Sequence, residues 1–242
     1  MEKRINLIRQ TEIDSNEMNQ ALTDLYKLSW DKYGEVREQF SDYSLSNILL
    51  LSVPDDYPHA NLRSMILGKE TMGWGGEFED TLPSIHELQQ LYELYINEEN
   101  GNGAAFQRFV NWFRTIRPGV SVLSNNIVKV GKHSTNGYYK CVADALDEKV
   151  NLLLEEIKIT RPQVIVCPTS NIDKYNERLE MLLGQCLEEQ ILQEDLFVSV
   201  RYYEFIPTIP LIMCPHPQGK KRVKLNEVKK IIDNVIEGII EK

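Results

Sequence analysis

The sequence predicts an α/β fold: a doubly wound, mostly parallel short sheet with helices on both faces. Three observations predict it. Short apolar segments (Leu62–Gly68, Val120–Leu123, Val164–Cys167, Leu211–Cys214) are bounded by glycine, proline or polar clusters, as buried strands are. Longer amphipathic segments separate them, which parallel strands need as crossovers. A polar loop follows each strand, where open sheets of this kind place their ligands. At 242 residues one well-buried core suffices. Residues 1–60 are expected to be an N-terminal helical segment packed on the core, and 61–242 the α/β domain, the whole being one folded unit.

The elements follow in order. Asp14 or Ser15 is placed to cap a helix running to about Phe40, with Met18, Leu22, Leu25, Tyr26 and Leu28 on one face. A loop rich in proline and aspartate covers Pro54 to His59, and the first strand ends at Gly68. Ser84 and Glu87 form a capping box for a helix to about Glu98, which Asn100-Gly-Asn-Gly103 breaks. Ala104–Ile116 reads as a second amphipathic helix, and Pro118-Gly119 turns the chain into the Val120 strand. One helix is expected from about Val142 to Ile159, because Pro162 disfavours helix at Arg161. After the Val164 strand comes a helix from about Asp173 to Leu183, ended by Gly184. Leu196–Phe205 is β-rich, Leu211–Cys214 is the last strand, and Val223–Ile240 a terminal helix.

Composition sets limits. Hydrophobic residues at 42% and charged residues at 26% are ordinary globular values. The longest apolar runs, such as Ile48–Leu51, fall far short of the ~20 residues that cross a bilayer, and the first ten residues hold no signal-length apolar segment. A cytoplasmic protein without a membrane partner is expected. Cys141, Cys167, Cys186 and Cys214 lie far apart with no Cys-x-x-Cys pair, so they read as core hydrophobes; no metal site and no cofactor is expected. The P-loop, Gly-x-Ser-x-Gly and His-Glu-x-x-His patterns are absent. Gly101-Asn-Gly103 lies between helices and is no dinucleotide fingerprint.

The net charge of −9 argues against a polyanionic partner, but its distribution is uneven. Arg108 to Lys140 contains no acid, and between Pro215 and Lys230 six basic residues face Glu227 alone. A locally basic face toward phosphate is therefore expected.

Four loops follow the strands: Gly68-Lys-Glu-Thr-Met-Gly-Trp-Gly-Gly76, Ser124–His133, Pro168-Thr-Ser-Asn171 and Pro215-His-Pro-Gln-Gly-Lys220. Their order and content resemble the uracil-DNA glycosylase superfamily. Gly68-Lys69-Glu70 is similar to its first motif, a glycine followed by a loop with a polar residue that positions water. Asn126-Ile-Val-Lys129 and Arg161-Pro-Gln-Val-Ile-Val166 resemble its middle elements, and Cys214-Pro-His-Pro217 its closing His-Pro. Thr71 stands where the family usually has proline, and Gln218 where it usually has serine; the iron–sulfur cysteines of one branch are absent.

The resemblance implies a uracil-DNA glycosylase-like fold and hydrolysis of the N-glycosidic bond of a damaged or modified base in DNA. Glu70 would orient the attacking water and stabilise a positive sugar, and His216 would donate to the base's developing oxyanion. Asn126 would read the base edge, since one amide supplies donor and acceptor, with neighbouring Asn125 leaving the register open. Trp74 or Phe78 would stack on the base. Lys129, Lys132, His133, Lys220 and Arg222 would contact backbone phosphates. The alternative is a catalytically weak module of the same fold that binds a base, a nucleotide or a nucleic-acid end.

Overall fold

The computed structural model describes residues 14–71, 73–77, 83–97, 105–169, 172–217 and 224–241. Six strands form one sheet in the order β2-β1-β3-β6-β5-β4. They are β1 (Leu62–Glu70), β2 (Val120–Val128), β3 (Val164–Cys167), β4 (Cys186–Gln193), β5 (Val198–Tyr203) and β6 (Ile206–Met213). The first four in sheet order are parallel, and β5 and β4 add an antiparallel edge. Among the described residues seven α-helices accompany them: α1 (Ser15–Gln39), α2 (Ile85–Asn97), α3 (Ala105–Arg114), α4 (Lys140–Lys149), α5 (Leu152–Thr160), α6 (Asp173–Leu183) and α7 (Leu225–Ile240). This is the doubly wound α/β fold expected.

The period-two alternation of a strand divides the core between the two faces. Met65 and Leu67 of β1, Ile165 and Cys167 of β3, and Leu211 and Met213 of β6 meet side chains of α1, α2, α4, α5 and α6. Leu62 and Ile66, Val164 and Val166, and Ile212 point the other way, onto Phe109, Val110 and Phe113 of α3 and Val228, Ile232 and Ile236 of α7.

Helix α1 begins at Asp14, whose side chain accepts from Glu17 N while Glu17 answers to Asp14 N, a capping box. Its buried stripe is Met18, Leu22, Tyr26, Ser29, Tyr33 and Val36. Leu28, expected on that face, is 79% exposed, because the stripe of i+3 and i+4 steps passes through Tyr26 and Ser29 instead. The capping box of α2 forms as expected, with Ser84 and Glu87 bonded reciprocally.

Three expectations are corrected. The second strand does not end at Leu123; it pairs with β1 as far as Glu70↔Val128, so Asn125 and Asn126 belong to the sheet. The single helix expected over 142–159 is two, broken at Val150, because Asn151 caps α5 by accepting from Leu154 N and also donates to Leu182 O. The edge strand β4 had no sequence signal: Glu188, Glu189, Gln190 and Gln193 are poor strand formers, and pairing with β5 decides its conformation.

Candidate functional site

A cleft of about 610 Å³ opens at the carboxyl edge of the parallel strands. Gly68, Lys69 and Glu70 bring the end of β1 into it, Asn126 the end of β2, and His216 the segment after β6. Phe106 reaches in from α3, Tyr175 and Lys174 from the first turn of α6, and Asn136 and Gly137 from the loop after β2.

Glu70 is held in place at both oxygens. Its Oε1 accepts from Gly137 N at 2.9 Å, and its Oε2 accepts from the Tyr175 hydroxyl. Burial, followed by the hydrogen bond and charge of Glu70, pushes the Tyr175 phenol up, so it stays protonated and donates. A carboxylate oxygen can accept more than one bond, so capacity remains on the cleft side.

Asn126 sits opposite Gly68 in the β1–β2 register. A Cβ on Gly68 would lie 2.2 Å from Asn126 Oδ1 and 3.2 Å from the Phe106 ring, so the missing side chain makes room for the amide. The Asn126 amide makes no side-chain hydrogen bond among the described residues. Asn125 faces the other way, as consecutive strand residues do. It is fully buried, donates to Glu156 Oε2 at 2.8 Å, and its Oδ1 accepts from Asn126 N at 2.8 Å. The open register between the two asparagines resolves to Asn126 at the cleft.

His216 is half-buried, and desolvation, reinforced by the charge of Lys69, pushes its imidazole down to about 4. It is therefore neutral near pH 7, a state in which one ring nitrogen is a donor and the other an acceptor. Burial and the charge of Lys174 lower Lys69, against the attraction of Glu70.

The remaining site residues fare differently. Lys129 is corrected: it is 7% exposed and ion-paired with fully buried Glu156 at 2.5 Å, so it cannot reach a phosphate outside. Lys129 follows directly on the last residue of β2, and segment 45–53 covers it, with Leu49 O accepting from Lys129 Nζ at 3.3 Å. Trp74 does not line the cleft; it packs partly buried on the core and meets Tyr95 edge to face at 5.3 Å. Lys132 lies over the Tyr139 ring at 4.6 Å, and His133 is half-buried with its backbone bonded to Ser44 O; neither lines the cleft. Phe78, Lys220 and Arg222 lie outside the described residues.

Phe106, Lys174 and Tyr175 carry no motif. The rule that found the loops finds two of them when extended to the first turn of the helix that follows a strand. Among the described residues, no cluster of three or more His, Cys, Asp or Glu is placed to hold a metal, and no helix is long and apolar enough to cross a membrane. The chain matches no model of a known protein family and no curated protein.

Proposed function

We propose that this chain is a uracil-DNA glycosylase-like protein, with the cleft holding a nucleobase of DNA while its N-glycosidic bond is hydrolysed. The observation that carries the reading is the convergence of a fixed carboxylate, a neutral imidazole and an unengaged amide on one cleft at the sheet's carboxyl edge. Its volume lies in the range of small-ligand sites, roughly 300–1,000 Å³. In the reaction the C1′–N bond breaks with its electron pair going to the base, leaving an oxocarbenium-like sugar. Glu70 faces that positive charge and orients water, whose oxygen bonds C1′ and whose proton passes to the carboxylate and on to solvent. Neutral His216 donates its N–H to the oxygen on which the base's charge collects, a contribution of about a few kcal/mol. Asn126 pairs with the base edge, and Phe106 or Tyr175 offers an aromatic face.

The experiment is release of free base from oligonucleotides carrying a panel of modified bases, under single turnover. Glu70→Gln should slow release strongly without loss of DNA affinity, because the variant keeps the shape, can still accept from Gly137 N and can donate to the Tyr175 oxygen, but loses the charge. His216→Ala should slow it by ~10²–10³-fold. If no base on the panel is released, or Glu70→Gln matches the parent, the hydrolytic reading falls. The second reading, binding without hydrolysis, is favoured by one feature: both Glu70 oxygens already accept protein hydrogen bonds. Base or nucleotide binding without release would establish it.

A further inference from the structure

Two lysines converge on the cleft from different elements. Lys69 Nζ lies 5.8 Å from the centre of the Tyr175 ring, and Lys174 Nζ lies 4.7 Å from the same centre. Lys174 also stands 5.0 Å from the Tyr138 ring. Among the described residues neither ammonium is within ion-pair distance of a carboxylate. Glu70 is the one acid among the described residues that line the cleft. With His216 neutral, two cations against one carboxylate leave the described lining with one excess positive charge. Like charges gathered at one ring repel each other, and an anion between them relieves that repulsion.

We propose that Lys69 and Lys174 form an anion subsite beside the Tyr175 ring that takes the phosphate monoester of a nucleotide. The inference rests on the base-binding reading of the same cleft and adds the group attached to the base. A phosphate monoester carries close to two negative charges near neutral pH, matching two ammonium point charges. A polyphosphate backbone would need cations spread along a track. Among the described residues the other cations nearby are spent within the protein: Lys129 on Glu156, Lys140 on Asp144, and Arg178 on Asp144 and Asp147. Lysine also suits the task geometrically, since an ammonium on a flexible stem meets a tetrahedral oxyanion from any side.

Isothermal titration calorimetry tests this with four common nucleosides, their 5′-monophosphates, inorganic phosphate, and a short oligonucleotide with and without a 5′-phosphate. At least one monophosphate should bind about 10–100-fold tighter than its nucleoside, the scale of a hydrogen bond to a charged group. Lys69→Met and Lys174→Met should each collapse that ratio toward one; Lys174 is exposed, so its variant tests the site without disturbing the core. A 5′-phosphate effect on the oligonucleotide as large as on the mononucleotide identifies a strand end as the source, and an effect confined to the mononucleotide identifies a free nucleotide. Equal affinity for nucleoside and monophosphate, or a ratio unmoved by both substitutions, overturns the subsite and leaves the base-binding reading standing. Lysine-dependent binding of inorganic phosphate without any nucleoside binding supports the subsite and overturns the base. Absence of all binding overturns both.

Discussion

Gly68 has no conformational duty; its role is spatial. A methyl there meets the far end of the Asn126 side chain, which can rotate, rather than backbone, which cannot. Gly68→Ala should therefore fold with a small loss of stability and push the Asn126 amide out of the cleft. Affinity for the base should drop by about 1–3 kcal/mol, the cost of a lost polar pairing. Calorimetry beside a denaturation curve separates the two; a variant that binds like the parent removes Asn126 from the site. Gly131 shows the opposite case. A Cβ there would stand 1.7 Å from the Thr71 carbonyl oxygen, and the Gly131 N–H already donates to Ser46 and Thr71 hydroxyls. With backbone on the other side nothing can give way, so Gly131→Ala should cost about 1–3 kcal/mol or more in chemical denaturation.

His216 allows a prediction with a sign. Its folded value is depressed to about 4 from an ordinary 6.5, so between those values the unfolded chain binds a proton that the folded chain refuses. Stability that His216 helps to hold is complete above about pH 6.5 and declines as pH falls toward 4. An NMR titration of its imidazole should give a midpoint well below pH 5, and base release should show no inflection from this group between about pH 6 and 8. A midpoint near 6.5 would show the imidazole solvated and remove the neutral-donor role.

At the scale of elements, the buried network beneath the site joins α1, β2 and α5. Tyr26 donates to Glu156 Oε1 at 2.8 Å and accepts from Leu51 N at 2.8 Å; Asn125 and Lys129 hold Glu156 Oε2. Satisfied at every point, it ties the N-terminal helix to the strand that presents Asn126. Lys129→Met leaves the Glu156 charge buried and unpaired and should cost about 3–5 kcal/mol in urea unfolding. Adding Glu156→Gln removes that charge and should recover a good part of the loss. A Lys129→Met loss below about 1 kcal/mol would mean the pair is solvated or dispensable.

For the whole molecule, the basic stretches do not become an open basic face among the described residues. Arg117 pairs with Asp233 and Glu237, Arg114 donates to Ile96 O, Lys229 lies over Trp112, and Lys224 pairs with Asp195. With a net charge of −9 around them, few cations of these stretches remain among the described residues to release counterions. Any oligonucleotide affinity should fall with salt at a slope of only about −1 to −2 in log–log form. A slope several times steeper would require a phosphate track built from residues beyond those described.

What the sequence determined by itself is the local part. Turn residues and apolar periods located six helical segments, one of which the structure divides into α4 and α5, and all strands but β4, because capping, proline sterics and burial on both sheet faces act over a few neighbours. The loops after β1, β2 and β6 were legible for the same reason: carboxyl edges of parallel strands fall on one side of the sheet. The tertiary structure decided the rest. Whether Asn125 or Asn126 faces the cleft depends on strand parity against both layers, which only the packed sheet defines. Whether Lys129 is a surface cation or a core one depends on Glu156, and the Glu156 carboxylate in turn depends on Tyr26, 130 positions away. Tyr175 and Lys174 joined the site because α6 starts where β3 ends, 105 positions from the Glu70 that Tyr175 holds. Charge and hydrogen-bond partners act through space across such separations, so their pairing is a property of the fold rather than of any stretch of chain.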